Sequence, residues 1–158
     1  MEKVKAMPLK KITNKLPPFV PMTWKILNSE AYRALPHAAA KILPFFIGKV
    51  KDFSFNDPAR FESSFEFTYS EAKKRLGFGR STFYKTLIDL IKYGFIDPVK
   101  KGGMRSYGNT SSKFKLSRRW ETYGTLTFKT IDWKGFPIHR QVTKMDCIVP
   151  LSEPMEMR

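Results

Sequence analysis

Apolar residues recur at helical spacing in two stretches of the chain. Across residues 80–93, Phe83, Leu87, Leu90 and Ile91 fall at i, i+4, i+7 and i+8, and Ile88 widens the stripe. Across residues 36–48, Ala39, Ile42, Leu43 and Phe46 share one face. Such spacing predicts helices that bury one side. Pro36 suits a first helical turn, where a missing N–H is harmless, whereas Pro44 is awkward and predicts a kink or a shortening. Asn28 and Ser29 offer caps for a short helix to Leu35. Ser70 offers a cap for a helix over 71–76. Gly77 is expected to end that helix and Gly94 the helix over 80–93, because glycine enters the left-handed conformation without steric cost.

Elsewhere the period changes or disappears. Phe65-Glu-Phe-Thr68 alternates apolar with polar and predicts a short half-buried strand. Phe95-Ile96 begins a second strand, and Phe114 and Leu116 mark a third. Residues 100–110 are polar and glycine-rich, which predicts a hairpin with a long tip. Leu126 and Phe128 alternate with polar residues and suggest one more strand. Residues 49–64 show no period and read as a loop. Residues 1–23 hold four prolines and five lysines and read as an extended arm. Trp24-Lys-Ile-Leu27 is apolar enough to dock on a core. Residues 135–158, with three prolines, read as irregular.

The resulting order is helix, short strand, helix, tight turn, helix, strand, loop, strand. It predicts an α+β fold of the winged helix-turn-helix plan, a three-helix core plus a β-hairpin wing, with irregular N- and C-terminal extensions. The expected division is an arm over 1–23, a domain over 24–124 and an extension over 125–158. Residues 71–96 also resemble the helix-turn-helix of bacterial winged-helix regulators. Leu76, Gly77, Phe78, Thr82, Phe83, Leu87, Leu90, Gly94 and Ile96 match that pattern. Over about residues 24–124 the chain is similar to helix-turn-helix proteins and replication-initiator N-terminal domains of bacterial plasmids and integrated elements. There are two departures. Gly79 stands where serine is usual, so the following helix loses a side-chain cap. Lys73 stands where a small apolar residue is usual, leaving Ala72 to take the packing role.

Charge adds a partner to this picture. The chain has 158 residues and a formal net charge of +15, from 29 Lys+Arg against 14 Asp+Glu. Residues 60–119 hold 14 basic and 5 acidic residues, and residues 98–119 hold seven basic and none acidic. A basic patch this local points to a polyanion. With the apolar stripe of helix 80–93 turned inward, its opposite face carries Arg80, Ser81, Tyr84 and Lys85, with Thr82 at its edge. Arginine can pair with guanine in the major groove, and Ser or Thr can contact base edges. The wing, residues 97–114, carries Lys100, Lys101, Arg105 and Lys113, with Tyr107 at its tip. The run 98–119 that holds them contains no acidic residue. Arg118 and Arg119 would add phosphate contacts, while Trp120 and Tyr123 read as packing residues.

These ten residues, Arg80 to Lys85 and Lys100 to Lys113 as named, form the candidate double-stranded DNA site. The expected role is that of a transcription regulator or a mobile-element replication protein, cytoplasmic and nucleoid-associated. An adaptor that meets an acidic protein partner, or an RNA binder, fits the same charge. Nothing predicts an enzyme, a cofactor or a metal site. His37 and His139 lack companions at metal-ligand spacing, Cys147 has no base partner, and Gly77-Phe-Gly79 is explained by a turn. With a single cysteine no internal disulfide forms, and no apolar run approaches the length of a membrane span. Residues 125–158 leave room for a homodimer contact.

Overall fold

The computed structural model describes residues 19–50, 54, 56–102 and 111–137. Among them are six α-helices and a three-stranded antiparallel sheet, an α+β architecture compatible with a winged helix. The helices are α1 (Trp24–Leu27), α2 (Glu30–Ala34), α3 (His37–Ile47), α4 (Ala59–Glu62), α5 (Tyr69–Leu76) and α6 (Arg80–Lys92). The strands are β1 (Ser64–Glu66), β2 (Ile96–Lys100) and β3 (Lys113–Leu116), in the order β1-β3-β2. Short 3-10 turns span Gly48–Val50 and Arg119–Thr122. No described helix is long and apolar enough to cross a membrane.

The core is built where the two periodic helices cross the sheet. α3 supplies Ile42, Leu43 and Phe46, and α6 supplies Phe83, Leu87, Leu90 and Ile91, all buried. Phe46 is the hub. Its ring stacks on Phe67 at 4.5 Å and meets Phe65 and Phe114 edge-on at 5.8 and 6.2 Å. Full burial of each such ring is worth about 1.5–3 kcal/mol. Phe67 reaches on to Phe83 at 6.1 Å, so α3, β1, β3 and α6 share one aromatic cluster. α6 is thereby held rigidly by one face, which leaves the other outward.

Backbone chemistry sets the boundaries. Ser29 accepts from the Tyr32 N–H and starts α2. Gly77 closes α5 at φ +69°, and Gly94 follows α6 at φ +82°. At Gly94 glycine is also required by space, since a Cβ would lie 2.7 Å from the Trp120 nitrogen. Ala72 is fully buried and Lys73 exposed, so the small residue faces the core.

Several expectations are corrected. α5 starts at Tyr69, not Glu71, because Thr68 rather than Ser70 accepts from the Glu71 N–H. Pro36 caps α3 from outside its first turn, and α3 runs through Pro44 to Ile47. The expected loop over 49–64 contains α4, whose first N–H donates to the Asp57 carboxylate at 2.9 Å. β1 begins one residue before Phe65 and ends at Glu66. Leu126 and Phe128 form no strand. Leu126 is wholly exposed, and the Thr125 hydroxyl donates to the Thr122 carbonyl in a turn. Trp24 is 77% exposed, while its neighbours Ile26 and Leu27 are half-buried.

The C-terminal extension is not separate from the core at its start. Trp133 is buried against Phe114 at 5.5 Å, and Phe136 stacks on Trp133 at 5.9 Å. Residues 1–18 of the expected arm over 1–23, and the tail from residue 138, lie outside the described residues.

Candidate nucleic-acid interface

Anchoring α6 through Phe83, Leu87, Leu90 and Ile91 leaves Arg80, Ser81, Tyr84 and Lys85 exposed. Tyr84 keeps 44% of its surface accessible. The side chains of Ser81, Tyr84 and Lys85 make no hydrogen bond or salt bridge with other described residues. Arg80 lies over the Tyr69 ring at 5.2 Å, a contact that orients the guanidinium without neutralising it. Thr82 is half-buried, and its carbonyl accepts from the Thr86 hydroxyl at 2.7 Å. Gly79 gives α6 no side-chain cap, so the first amides of a 13-residue helix are open to an acceptor from outside.

Asp89 is the one carboxylate on α6. Burial pushes its pKa up, against the charges of Lys92 and Lys85, which pull it down. It sits toward the far end of the helix from Arg80, so the first turn carries no negative charge.

The preceding helix adds two cations not counted among the ten candidates. Lys73 and Lys74 are exposed in the last turn of α5 and form no ion pair with described residues. Their signal in the sequence was the charge run Lys73-Lys74-Arg75. Arg75 differs from them. It binds Glu71 at 3.0 Å, and Glu71 also holds Lys49 at 2.6 Å, tying α5 to the 3-10 turn that follows α3.

The β2–β3 hairpin, the expected wing, is less open than its sequence implies. Its strands pair from Ile96↔Leu116 to Lys100↔Lys113, with an irregularity between Pro98 and Lys100. The Ser112 hydroxyl accepts from the Gly102 N–H at 3.0 Å across the hairpin neck. Lys100 is half-buried. The Lys101 ammonium donates to the carbonyls of Trp133 and Lys134 at 2.9 and 3.0 Å and lies over the Trp133 ring. It pins the C-terminal extension to the hairpin. Lys113 faces Glu66 across the sheet at 3.9 Å, and Lys115 faces Glu62 at the same distance. The absence of acidic residues from the run 98–119 therefore does not carry over into space. Arg105 and Tyr107 lie outside the described residues.

Arg119 is corrected from a phosphate contact to an internal tie. Only 14% of its side chain is exposed. It donates to Asp97 Oδ1 at 2.6 Å and to the carbonyls of Lys129, Ile91 and Ile96 at 2.8, 2.9 and 3.1 Å. Arg118 is exposed but binds Glu121 at 3.0 Å. Burial raises the Glu121 pKa, yet the hydrogen bonds and charges of Arg118 and Lys25 outweigh it and hold the group below its ordinary value. Trp120 and Tyr123 pack internally, stacking on Phe95 at 6.0 Å and meeting Tyr93 at 5.2 Å.

Among the described residues no group of three or more His, Cys, Asp and Glu is placed to hold a metal ion. Comparison with protein-family models, curated proteins and solved structures gave no match.

Proposed function

We propose that the chain is a winged helix-turn-helix protein that binds double-stranded DNA, with α6 as the recognition helix and the β2–β3 hairpin as the wing. The observation that carries this reading is the outward face of α6. It presents a guanidinium, a hydroxyl, a phenol and an ammonium on a helix anchored by four buried apolar residues. A rigid helix bearing unneutralised donors at an uncapped N-terminus suits the major groove, where Arg80 and Ser81 meet base edges and the open amides meet a phosphate. Lys73, Lys74 and Lys85 supply phosphate contacts beside it. The wing contributes a weaker share, because Lys101 and Lys113 are already engaged within the fold.

The charge balance supports duplex DNA over an acidic protein surface through the position of the free cations. Lys73, Lys74, Arg80 and Lys85 stand exposed without a salt bridge to described residues on the one helix–turn–helix unit, although Arg33, Lys41, Lys129 and Lys134 are exposed elsewhere. The same activity serves transcription regulation or the replication of a mobile element, and the sites selected from random duplex distinguish promoter-like from origin-like targets.

A competition assay with duplex DNA, single-stranded DNA and RNA at two salt concentrations tests the reading. Duplex is expected to compete best. Affinity should fall on the order of a thousandfold between about 50 and about 200 mM salt if about six phosphates are contacted. Equal competition by RNA, or a duplex affinity insensitive to salt, overturns it.

A further inference from the structure

Tyr69 is the first residue of α5 and Arg80 the first of α6, and the turn that opens at Gly77, φ +69°, returns the chain so that the two side chains meet. The Arg80 guanidinium carbon lies 5.2 Å from the centre of the Tyr69 ring. That ring is itself seated from within. It is half-buried and tilted against Phe83 at 6.3 Å, Phe83 meets Phe67 at 6.1 Å, and Phe67 stacks on Phe46 at 4.5 Å. A row of four rings thus runs from the core hub to the outward guanidinium. Three other arginines that lie over rings also bind a carboxylate, Arg75 that of Glu71, Arg118 that of Glu121 and Arg119 that of Asp97. Arg80 has no salt bridge or side-chain hydrogen bond with described residues, so the ring holds it while its N–H donors stay open.

We propose that Tyr69 is a positioning residue for base reading, holding the Arg80 guanidinium so that its fork meets the O6 and N7 of one guanine instead of ranging over phosphates. This rests on the DNA reading of α6. A long side chain loses rotamer freedom when a groove fixes it, and a guanidinium already held on a ring loses less. An aromatic face can hold an arginine without consuming its donors, because the attraction is to the ring's quadrupole, whereas a carboxylate takes two of them. The role needs the ring and not the hydroxyl, so phenylalanine should serve as well.

The test uses the full chain. In the free protein, ¹⁵N relaxation of the arginine side chains is expected to show the Arg80 Nε–H more restricted than that of Arg33, an exposed arginine that meets no described ring, and Tyr69→Leu should remove the difference. Duplex sites are then selected from random sequence with the wild type, Tyr69→Phe, Tyr69→Leu, Arg80→Ala and Tyr69→Leu/Arg80→Ala. The wild type and Tyr69→Phe should demand the same guanine, which Arg80→Ala no longer demands. Tyr69→Leu should lower discrimination for that guanine by about three- to tenfold. It should change nothing further once Arg80 is alanine. Leucine keeps an apolar contact for Phe83. Should that variant fail to fold, Tyr69→Met, a flexible filler without a ring, replaces it. A loss that persists in the Arg80→Ala background marks a merely structural role, and a loss in Tyr69→Phe equal to that in Tyr69→Leu marks a hydroxyl–phosphate contact. Either overturns the proposal. So does an Arg80 Nε–H as mobile as that of Arg33, or full guanine preference in folded Tyr69→Leu. A wild type that selects no duplex overturns the DNA reading and this proposal with it, whereas the other outcomes overturn the proposal alone.

Discussion

Arg80 and Arg119 carry the same guanidinium, and the fold uses them in opposite ways. Arg119 sits behind the sheet with all its reach spent on Asp97 and three carbonyls from α6, β2 and the C-terminal extension. Arg80 stands at the open end of α6 with only the Tyr69 face beneath it. Lys101 and Lys85 repeat the contrast. The first clamps the extension onto the hairpin, and the second forms no side-chain hydrogen bond or salt bridge with described residues, only a longer-range pull on Asp89. A basic sequence therefore divides into cations that hold the protein together and cations that remain for a ligand. Charge density alone does not separate them, because the sorting depends on which carbonyls and carboxylates the fold brings within reach.

If that division is real, substitutions in the two sets should fail in different assays. The largest stability effect is expected at Arg119. Arg119→Ala leaves the half-buried Asp97 carboxylate without this donor and takes one donor from each of two inner carbonyls, and should cost about 3–4 kcal/mol in chemical denaturation. Gly94→Ala attacks the same junction from the backbone. Its Cβ would press on the Trp120 nitrogen and the Arg119 side chain at a positive φ, for an expected loss of about 2–3 kcal/mol. A loss under about 1 kcal/mol at either position would mean that the junction is not a structural tie.

On the other side of the comparison, Arg80→Ala should weaken a selected duplex by about 1–3 kcal/mol and relax base preference, with denaturation midpoints unchanged. Lys101→Ala sits between the sets. It should lose about 1–2 kcal/mol of stability through the two released carbonyls, while duplex affinity falls only by the screened effect of one charge. If Lys101→Ala instead weakened duplex binding as strongly as Lys85→Ala at full stability, the wing would belong with the reading surface.

The smallest expected effect is a pH dependence at Glu121. Its folded pKa is held below the ordinary value, so the unfolded chain takes up a proton first as pH falls. The contribution to stability is complete above the unfolded value and is lost as pH drops through the folded one. Glu121→Gln should flatten this part of the acid limb of the stability curve by less than about 1 kcal/mol, since both cationic partners are largely exposed.

Much of the architecture was legible because it rests on local rules. The i, i+4, i+7, i+8 stripe located α6 to within a residue at either end, and Gly77 and Gly94 marked helix ends that require positive φ. The outward residues of α6 followed directly, as the complement of that stripe. Rules that two neighbours satisfy equally gave the wrong answer, as when Thr68 rather than Ser70 capped α5. A four-residue helix such as α4 is too short to show a period, and two alternating residues at Leu126 and Phe128 are too few to define a strand. The sorting of cations was least legible. Arg119 meets Asp97 across 22 positions and Lys101 meets Lys134 across 33, distances over which sequence spacing carries no contact information.

The most direct test of the central claim is the salt slope of duplex binding, measured for the wild type and for the pair Arg80→Ala/Lys85→Ala and Lys101→Ala/Lys113→Ala. Each lost phosphate contact lowers the slope of log K against log salt by about 0.9. The α6 double variant is expected to lower the slope by about 1–2, and the wing variant by much less. A slope unchanged by the α6 substitutions in a folded protein would contradict the assignment of that face to DNA.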